Sequence, residues 1–379
     1  MVKYVTFDSD CCPQCTPSLH VTALLFIGFL PGLFCVCCAS WKWLVVFSVA
    51  LSSPRLLWQP GSGHPAEGAR YVYALGLYWN MVMAICFASP LLILCCCWNQ
   101  PILIFPTLLY ILWGRVIARA ELKDGAAWPW FSQQEWGYHA FRRYLRLRIH
   151  VHPLLQEYPP EKPVVIAVHP HGVASDYRIL LDGMFYNALP KREVLTLSAS
   201  VLFCIPMVRE LALWTRCIDA RKSVAARALK KKHSLMVIPG GEQEQIRTVQ
   251  GREEVFLRKR FGFIKLALEQ QAAVVPCYAF GCVDLYATYT NFLFSPREYL
   301  RKTLGVCIPV YLGALGFLPL RKPVHLVCGA PLELSCKVPG KPTDEEVQSA
   351  HCTYMDALKN LYDEERHQFG YPERELTID

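Results

Sequence analysis

Charged residues are distributed unevenly along this chain, and that distribution constrains the fold more than any other feature. Up to residue 118 there are only five Lys or Arg, whereas the remainder has an ordinary charge density: Lys3, Lys42, Arg55, Arg70 and Arg115. Hydrophobic residues make up 53% of the whole chain, which is more than a typical soluble enzyme carries. The sequence therefore predicts a membrane part, residues 1–118, followed by a globular part, residues 119–379.

Four apolar runs in the first part are candidates for membrane helices. Residues 19–39 carry no Asp, Glu, Lys or Arg, and residues 71–98 are interrupted most clearly by Asn80. A helix needs about 20 apolar residues to cross a bilayer, so both runs are long enough to span it. Residues 43–51 and 102–113 are shorter, and the latter run is either the second leg of a hairpin or a re-entrant segment. We expect two to four apolar helices here.

Basic residues follow the apolar runs closely, in a cluster made of Arg142, Arg143, Arg146 and Arg148. By the positive-inside rule, this cluster predicts that the globular part faces the cytosol. The formal net charge of +8 suits an anionic membrane surface and anionic substrates. No recognisable nucleic-acid-binding motif accompanies the charge, so nucleic acid is not an expected partner.

The chain contains 18 cysteines, which raises the question of disulfides or a metal site. Ten of them precede residue 98, within or beside the apolar runs. The others belong to the part that we expect in the reducing cytosol, where disulfides are rare. The motif Cys11-Cys12-x-x-Cys15 lacks a second pair of ligands at metal-binding spacing. We therefore predict neither disulfides nor a bound metal, and S-acylation of membrane-edge cysteines remains an alternative.

From residue 163 onward, strand-like and helix-like segments alternate. Short apolar runs predict strands at residues 164–168, 194–197, 235–238, 273–280 and 324–328. Amphipathic stretches predict helices at residues 178–187, 223–232, 258–271 and 344–369. This alternation is typical of an α/β fold with a mostly parallel sheet. Ligands bind outside the carboxyl ends of such strands, so several residues are expected to face one crevice: His171, the Gly240–Gly241 pair and Tyr278.

The clearest chemistry lies in Val164-Val165-Ile166-Ala167-Val168-His169-Pro170-His171-Gly172. Four of its five apolar residues are β-branched, which predicts a buried strand that ends at the two histidines. An imidazole whose other nitrogen is held by a partner can take a proton from an alcohol. Asp176 is the first candidate for that partner and Glu244 the second. Five helical positions turn through about 500°, so Asp176 reaches the ring only if His171 precedes the helix or begins it.

A second strand runs into Pro239-Gly240-Gly241. Two glycines leave backbone N–H groups free to approach an oxyanion or a phosphate, with a simple turn as the alternative interpretation. Nearby basic residues, among them Arg258 and Arg260, are candidates for holding phosphate groups. The sequence has no Gly-x-Ser-x-Gly nucleophile elbow, no phosphate-binding Gly-x-x-x-x-Gly-Lys-Ser/Thr loop and no His-Glu-x-x-His motif.

Together these motifs resemble the type-2 diacylglycerol acyltransferase family, which includes monoacylglycerol and wax-alcohol acyltransferases. The resemblance covers roughly residues 118–379, and its motifs occur in family order: His169-Pro170-His171-Gly172, Pro206-Met207-Val208-Arg209-Glu210, residues 239–244, residues 257–267, Val275-Pro276 with Phe280-Gly281, and residues 369–373. Arg148-Ile149-His150 departs from the family's usual Tyr-Phe-Pro. Asp176 is a second departure, since its spacing from His171 is similar to that of the phosphatidic-acid-pathway acyltransferases. Both departures leave the acyl acceptor open.

The resemblance implies a membrane enzyme with a glycerolipid-acyltransferase-like α/β domain. Such an enzyme moves a fatty acyl group from acyl-coenzyme A to a lipid hydroxyl, with acyl-coenzyme A as co-substrate and without a further cofactor. It implies His171 as the general base and a structural role for His169 at the end of the strand. The implied contacts with acyl-coenzyme A or the oxyanion are Gly172, Gly240, Gly241, Arg209, Arg258 and Arg260.

The resemblance also favours diacylglycerol as the acceptor, with triacylglycerol as the product. It implies a location in the endoplasmic reticulum membrane and on lipid droplets. Monoacylglycerol and a long-chain alcohol are alternative acceptors, and an inert lipid-binding membrane scaffold is the alternative from a different class. Expected partners are membrane lipids and a second copy of the chain in a homo-oligomer.

Overall fold

The computed structural model describes residues 2–8, 69–132 and 139–379. An eight-stranded sheet lies at the centre of this part, in the strand order β1-β2-β11-β8-β3-β6-β4-β5. Its strands are β1 (Val5–Asp8), β2 (Arg148–Val151), β3 (Val164–His169), β4 (Val194–Ser198), β5 (Cys217–Asp219), β6 (Ser234–Val237), β8 (Ala273–Phe280) and β11 (His325–Cys328). Two smaller sheets pair β7 (Glu254–Val255) with β12 (Thr377–Ile378), and β9 (Ala287–Thr288) with β10 (Tyr311–Leu312).

Parallel pairing dominates the large sheet. β3 is parallel to both β6 and β8, β4 is parallel to β5 and β6, and β2 is parallel to β11. Only β1 with β2 and β11 with β8 are antiparallel in this sheet. The predicted α/β fold with a mostly parallel sheet is therefore confirmed. β1, β2 and β5 are additional strands that the sequence pattern did not predict.

β3 is buried on both faces, as is usual for a central parallel strand. Val164, Ile166 and Val168 pack into one hydrophobic cluster, and Val165 and Ala167 pack into a second cluster on the opposite face. Full burial of one such aliphatic side chain stabilises a fold by about 1.5–3 kcal/mol. The strand that leads to the two histidines is therefore held by the core on both sides.

Helices connect and cover the strands. Their bounds are α1 (Ala69–Asn99), α2 (Ile104–Leu112), α3 (Pro129–Ser132), α4 (Ala140–Tyr144), α5 (Pro153–Glu157), α6 (Asp176–Leu181), α7 (Met184–Ala188), α8 (Val208–Trp214), α9 (Lys222–Lys230), α10 (Gly241–Arg247), α11 (Gly262–Gln270), α12 (Phe294–Leu304) and α13 (Asp344–Glu365). The helix predicted at residues 178–187 is interrupted between α6 and α7, where Gly183 has a φ of +81°. The helix predicted at residues 258–271 begins only at Gly262, after a segment in which the N–H groups of Leu257 and Arg258 donate to the carbonyl oxygen of Asp379.

The apolar runs form helices in the part of the chain that is described. α2 and the helical turns on both sides of it form one helical segment, Pro101–Leu122, of 22 residues. This segment is long and apolar enough to cross a membrane, and only 6% of its most apolar stretch is buried. α1 is bent by 56° between Leu75–Ala84 and Ala88–Asn99, which makes it a broken span or a re-entrant segment. The short run predicted at residues 102–113 is longer than expected, since it continues through a π-helical turn, Trp113–Ala118. The runs at residues 19–39 and 43–51 lie outside the described residues.

The two halves of α1 have different surroundings. Leu75 and Trp79 in its first half belong to the main hydrophobic core. In contrast, Leu91, Leu94 and Trp98 in its second half are exposed, as are most of the large apolar side chains that follow up to residue 117. Exposed apolar surface is therefore concentrated between residues 91 and 117, where a bilayer would cover it. The division of the chain at residue 118 stays a prediction.

The basic cluster that follows the apolar runs is not a uniform surface. Arg142 is fully buried, and its guanidinium donates to the carbonyl oxygens of Leu180, Ser132 and Asp182. Arg148 is exposed and forms an ion pair with Asp8, with an N–O distance of 3.0 Å. Arg142 is therefore not part of an exposed basic surface, because its side chain holds the end of α6. The cytosolic orientation of the domain stays a prediction.

Candidate active site

The His-Pro-His-Gly segment lies at the C-terminal end of β3, an inner strand of the sheet. β3 ends at His169, the His169–Pro170 peptide bond is cis, and His171 and Gly172 form the turn that precedes α6. Gly172 has a φ of +65°, a backbone conformation that residues with side chains rarely adopt. A Cβ there would also collide with Sγ of Cys282. The turn therefore requires a glycine at this position.

His171 is partly exposed as a residue, and its imidazole is oriented through Nδ1. This atom lies 2.9 Å from the carbonyl oxygen of Gly172 and 2.9 Å from Oγ of Ser175. A carbonyl oxygen can only accept, so Nδ1 carries the proton and Nε2 is the unprotonated nitrogen. Burial lowers the pKa of His171 to about 4, although the hydrogen bond to Gly172 opposes the shift. The ring is therefore neutral at physiological pH, as a general base must be.

Ser175 belongs to this site, and the sequence reasoning missed it. Its Oγ donates to the carbonyl oxygen of His171 at 2.6 Å and accepts from Nδ1 of the same residue. Oγ lies 3.4 Å from Nε2, so its shorter contact is with Nδ1. Ser175 is buried and has a φ of +53°, which brings the hydroxyl back toward the ring. A hydroxyl four residues after a histidine was the available signal, and it is a weak one.

Asp176, the first predicted partner of the His171 ring, begins α6. His171 therefore precedes the helix, which is the condition under which Asp176 could reach it. The side chain of Asp176 lies outside the described part of the structure, so its contact with His171 stays a prediction. The ring partners that are described are Gly172 and Ser175.

Glu244, the second predicted partner, meets His171 through the main chain. Oε1 accepts the backbone N–H of His171, and Oε2 accepts the backbone N–H of Phe256 at 3.0 Å. Glu244 is only 1% exposed. Burial raises the pKa of its carboxyl to about 7, against the opposing effect of the two N–H groups. This carboxylate therefore positions the backbone of the turn that contains His171.

The Gly240–Gly241 pair lies where the chain passes from β6 into α10, of which Gly241 is the first residue, and it is next to the same carboxylate. Any Cβ at Gly240 would overlap Oε2 of Glu244, so only glycine allows this approach. Gly241 has a φ of +55°, and a Cβ there would meet none of the described residues within 4 Å. Arg260 donates to the carbonyl oxygen of Gly240 at 3.1 Å. The turns after β3 and β6 therefore meet at Glu244, with open space beside Gly241.

His169 lies in the core rather than beside this space. It is fully buried, and its Nε2 lies 3.1 Å from the hydroxyl of Tyr354, which donates to the carbonyl oxygen of Ala167 at 3.2 Å. Burial lowers the pKa of His169 to about 3, so the ring is neutral. These contacts attach the end of β3 to α13 and are consistent with the predicted structural role.

Three other predicted residues have different partners. Tyr278 lies within β8 and is fully buried, and its hydroxyl donates to Glu253 at 2.6 Å. The expectation that it faces the crevice is therefore wrong, because β8 extends past it to Phe280. Nε of Arg258 donates to the carbonyl oxygen of Ile378 at 2.8 Å. Arg209 is buried between carboxylates, and the described contacts link neither arginine to His171.

The arrangement offers one neutral imidazole with an unprotonated Nε2, a carboxylate that holds its backbone, and an open glycine turn beside both. A positioned base of this kind can remove a proton from an alcohol. Arg260 adds a guanidinium at the glycine turn, where an anionic group could bind. Among the described residues, no group of three or more His, Cys, Asp or Glu is arranged to hold a metal ion.

Comparison with known proteins identifies the family. The model of the family described as diacylglycerol acyltransferase matches residues 94–379. The diacylglycerol O-acyltransferase 1 of Eremothecium gossypii is 32% identical over 229 residues, which are 56% of this chain and 50% of that protein. The matched part thus spans about half the length of the Eremothecium protein. The protein of the same name from Schizosaccharomyces pombe is 27% identical over 330 residues, 77% of this chain and 89% of that one.

Relatives that are named for a different activity are also similar to this chain. The 2-acylglycerol O-acyltransferase 1 of Mus musculus is 26% identical over 295 residues, 71% of this chain and 84% of that protein. Among solved structures, a 1-acyl-sn-glycerophosphate acyltransferase from Thermotoga maritima aligns with a TM-score of 0.36 and 14% identity, over 76% of this chain and 97% of that one. The family match covers most of the chain, and the chain therefore belongs to the diacylglycerol acyltransferase family, a class of acyl-coenzyme-A-dependent glycerolipid O-acyltransferases.

Proposed function

We propose that the protein is a diacylglycerol O-acyltransferase that transfers a fatty acyl group from acyl-coenzyme A to the free hydroxyl of diacylglycerol. One observation carries most of the proposal. Nδ1 of His171 is occupied by Gly172 and Ser175, which leaves Nε2 as the unprotonated nitrogen of a residue that is partly exposed. Such a base suits an alcohol substrate, and the family supplies the donor.

The proposed reaction is one addition followed by one elimination. Nε2 of His171 takes the proton of the acceptor hydroxyl while the hydroxyl oxygen attacks the thioester carbonyl carbon. A C–O bond forms, and the carbonyl oxygen becomes negatively charged. The C–S bond then breaks, and the imidazolium returns its proton to the departing thiolate of coenzyme A. The products are triacylglycerol and free coenzyme A, with no net change at the enzyme.

Backbone N–H groups are the candidates for stabilising the oxyanion. The N–H of Gly241 already donates to the carbonyl oxygen of Ile238 at 3.2 Å. Gly172 and Gly240 are therefore the preferred donors in this proposal. Arg258 and Arg260 are proposed to hold phosphate groups of coenzyme A, and Arg260 is the better placed because it contacts Gly240. Asp176 is retained as a candidate partner of the His171 ring.

A second candidate function is a 2-acylglycerol O-acyltransferase. The similarity to the Mus musculus protein of that name favours it, because it covers 71% of this chain at an identity close to that of the diacylglycerol enzymes. The same base would serve this reaction, since both acceptors present an alcohol on a glycerol backbone. A long-chain alcohol is a third acceptor to test.

We further propose that the enzyme resides in the endoplasmic reticulum membrane and on lipid droplets, with its catalytic domain in the cytosol. The helix Pro101–Leu122 and the bent α1 support membrane residence. Acyl-coenzyme A is available in the cytosol, which supports the orientation. A homo-oligomer remains part of the proposal.

Purified full-length protein in phospholipid nanodiscs should be assayed with acyl-coenzyme A and separately with diacylglycerol, monoacylglycerol and a long-chain alcohol. We expect triacylglycerol to form fastest. His171→Ala should lower kcat by about 10²–10⁴-fold, the usual contribution of a general base. His233→Ala is the matched control, because His233 pairs with Glu193 and contacts no described site residue. Normal turnover in His171→Ala would contradict the mechanism, and faster use of another acceptor would contradict the substrate.

A further inference from the structure

Residues 206–210, which the proposed reaction does not use, contact α1 just before its exposed half begins. The hydroxyl of Ser89 donates to the carbonyl oxygen of Pro206 at 2.7 Å. Met207 packs against Val82 and Cys86 in a small buried cluster. The next residue of α1 is Pro90, and the exposed apolar side chains start at residue 91. This segment therefore contacts α1 where the helix leaves the globular domain.

The helix that returns from the exposed apolar region reaches the same segment. Arg209 donates to the carbonyl oxygen of Gly114 at 3.1 Å and forms an ion pair with Glu121 at 2.8 Å. Gly114 lies in the π-helical turn, Trp113–Ala118, and a Cβ there would be 3.4 Å from the guanidinium. Because both ends return to residues 206–210, residues 91–117 form a hairpin, which we call the apolar hairpin.

The contacts at the base of the apolar hairpin are ionic and buried. The side chains of Arg209 and Glu121 are 5% and 7% exposed. Glu210 accepts from Arg209 at 2.9 Å and from the N–H of Met207 at 3.1 Å. A buried charge is costly unless its partners keep their positions, so this network tolerates only a narrow range of geometries. The planar guanidinium serves three acceptors at once, which a lysine ammonium cannot reproduce.

We propose that Arg209 and Glu121 are positioning residues that fix the apolar hairpin relative to the catalytic domain, and thereby set how His171 meets an acceptor dissolved in the bilayer. The inference rests on the proposed function. It implies that use of a membrane-dissolved acceptor depends on the Arg209–Glu121 pair. An acceptor dissolved in water reaches the same base without that alignment.

The test compares two acceptors with one enzyme preparation. Full-length Arg209→Lys and Glu121→Gln proteins in nanodiscs are assayed with long-chain diacylglycerol in the bilayer and with dihexanoylglycerol in water. A misplacement of about 1 Å can cost 10²-fold, so we expect at least about a tenfold loss with the bilayer acceptor and less than about a twofold loss with the soluble one. The KM for acyl-coenzyme A should stay unchanged. Glu121→Gln keeps the experiment decisive if Arg209→Lys fails to fold.

Arg192→Lys is the matched control. Arg192 is similarly buried and donates to the carbonyl oxygens of Lys162, Tyr158 and Pro159, with no described contact to the apolar hairpin. Its substitution should lower both activities in the same proportion, as expected of a purely structural residue.

Equal losses with the two acceptors in Arg209→Lys and Glu121→Gln would overturn the proposal, as would no loss at all. A raised KM for acyl-coenzyme A with both acceptors would also overturn it, since that result assigns Arg209 to donor binding. Inactivity of the unsubstituted protein toward both diacylglycerols would refute the proposed function and this inference with it. That failure is distinguishable, because it is seen before any substitution is made.

Discussion

Glu244 holds His171 by its main chain, since Oε1 accepts the backbone N–H of His171 and makes no described contact with the imidazole. The other oxygen of the carboxylate accepts the N–H of Phe256 at 3.0 Å. Glu244 therefore controls where His171 lies, whereas Gly172 and Ser175 control which ring nitrogen carries the proton. The two tasks are separable by substitution.

Glu244→Gln should lower kcat by about 10²-fold, because the amide NH₂ opposes one of the two N–H groups and the turn shifts. Turnover of the unsubstituted enzyme should also fall below its maximum as the pH drops through about 7, the pKa of Glu244. Protonation removes an acceptor from one N–H group. The glutamine variant should lack this acid limb. The measurement is a pH–rate profile of both proteins.

Glu242→Gln is the control, since Glu242 lies on the same helix and has no described hydrogen bond to the turn that contains His171. An acid limb near pH 7 that persists in Glu244→Gln would assign it to another group. His171 is not expected to supply that limb, because its pKa is lowered to about 4.

The raised pKa of Glu244 should also make the stability of the protein depend on pH. Folding raises its pKa from 4.5 to about 7, so between these values the folded chain keeps a proton that the unfolded chain has released. The free energy of unfolding therefore falls as the pH rises through this window, by an amount on the order of 3 kcal/mol. The stability of the unsubstituted protein relative to Glu244→Gln should decrease accordingly. Chemical unfolding in detergent at several pH values measures the difference, and a constant difference would contradict the raised pKa.

Ser175→Ala and Asp176→Asn separate the two possible partners of the ring. Ser175→Ala removes a hydroxyl that bonds both Nδ1 and the carbonyl oxygen of His171, so kcat should fall by about tenfold with little change in KM. If Asp176 also holds the ring, Asp176→Asn should lower kcat at least as strongly. Single-turnover rates with saturating acyl-coenzyme A provide the comparison. Normal rates in Asp176→Asn would make its spacing from His171 a coincidence.

His169→Ala should act mainly on stability. The ring is fully buried and hydrogen-bonded to Tyr354. Its removal creates a cavity and breaks that hydrogen bond, which together should lower the free energy of unfolding by about 2–4 kcal/mol. The folded fraction should keep more activity than His171→Ala does. Tyr354→Phe removes this hydrogen bond and the one to the carbonyl oxygen of Ala167, but it leaves no large cavity and should cost less. Thermal unfolding of the three proteins tests this order, and a stable but inactive His169→Ala would indicate a catalytic role.

The orientation of the domain can be tested at Lys162, which lies on an exposed connection between α5 and β3. A protease site inserted there should be cleaved in sealed microsomes without detergent, because we expect the catalytic domain in the cytosol. Protection of the site until detergent is added would place the domain in the lumen. A lumenal reporter protein serves as the control for intact membranes.

The local sequence was sufficient to predict the elements whose structure depends on neighbouring residues alone. The β-branched run before His169 predicted β3, because a strand buried on both faces must be apolar along its length. The same holds for the Gly240–Gly241 turn and for the apolar runs that form α1 and Pro101–Leu122. The α/β fold followed from the alternation of such segments.

The tertiary structure decided which polar groups meet. Glu244 lies 73 residues beyond His171, and Tyr354 lies 185 residues beyond His169, so no spacing rule relates either pair. In the sequence Arg142 belongs to a basic cluster that follows the apolar part, yet its side chain is buried because α6 ends against it. Secondary structure depends on local pattern, whereas a hydrogen-bond partner depends on which turns the sheet order brings to the same edge.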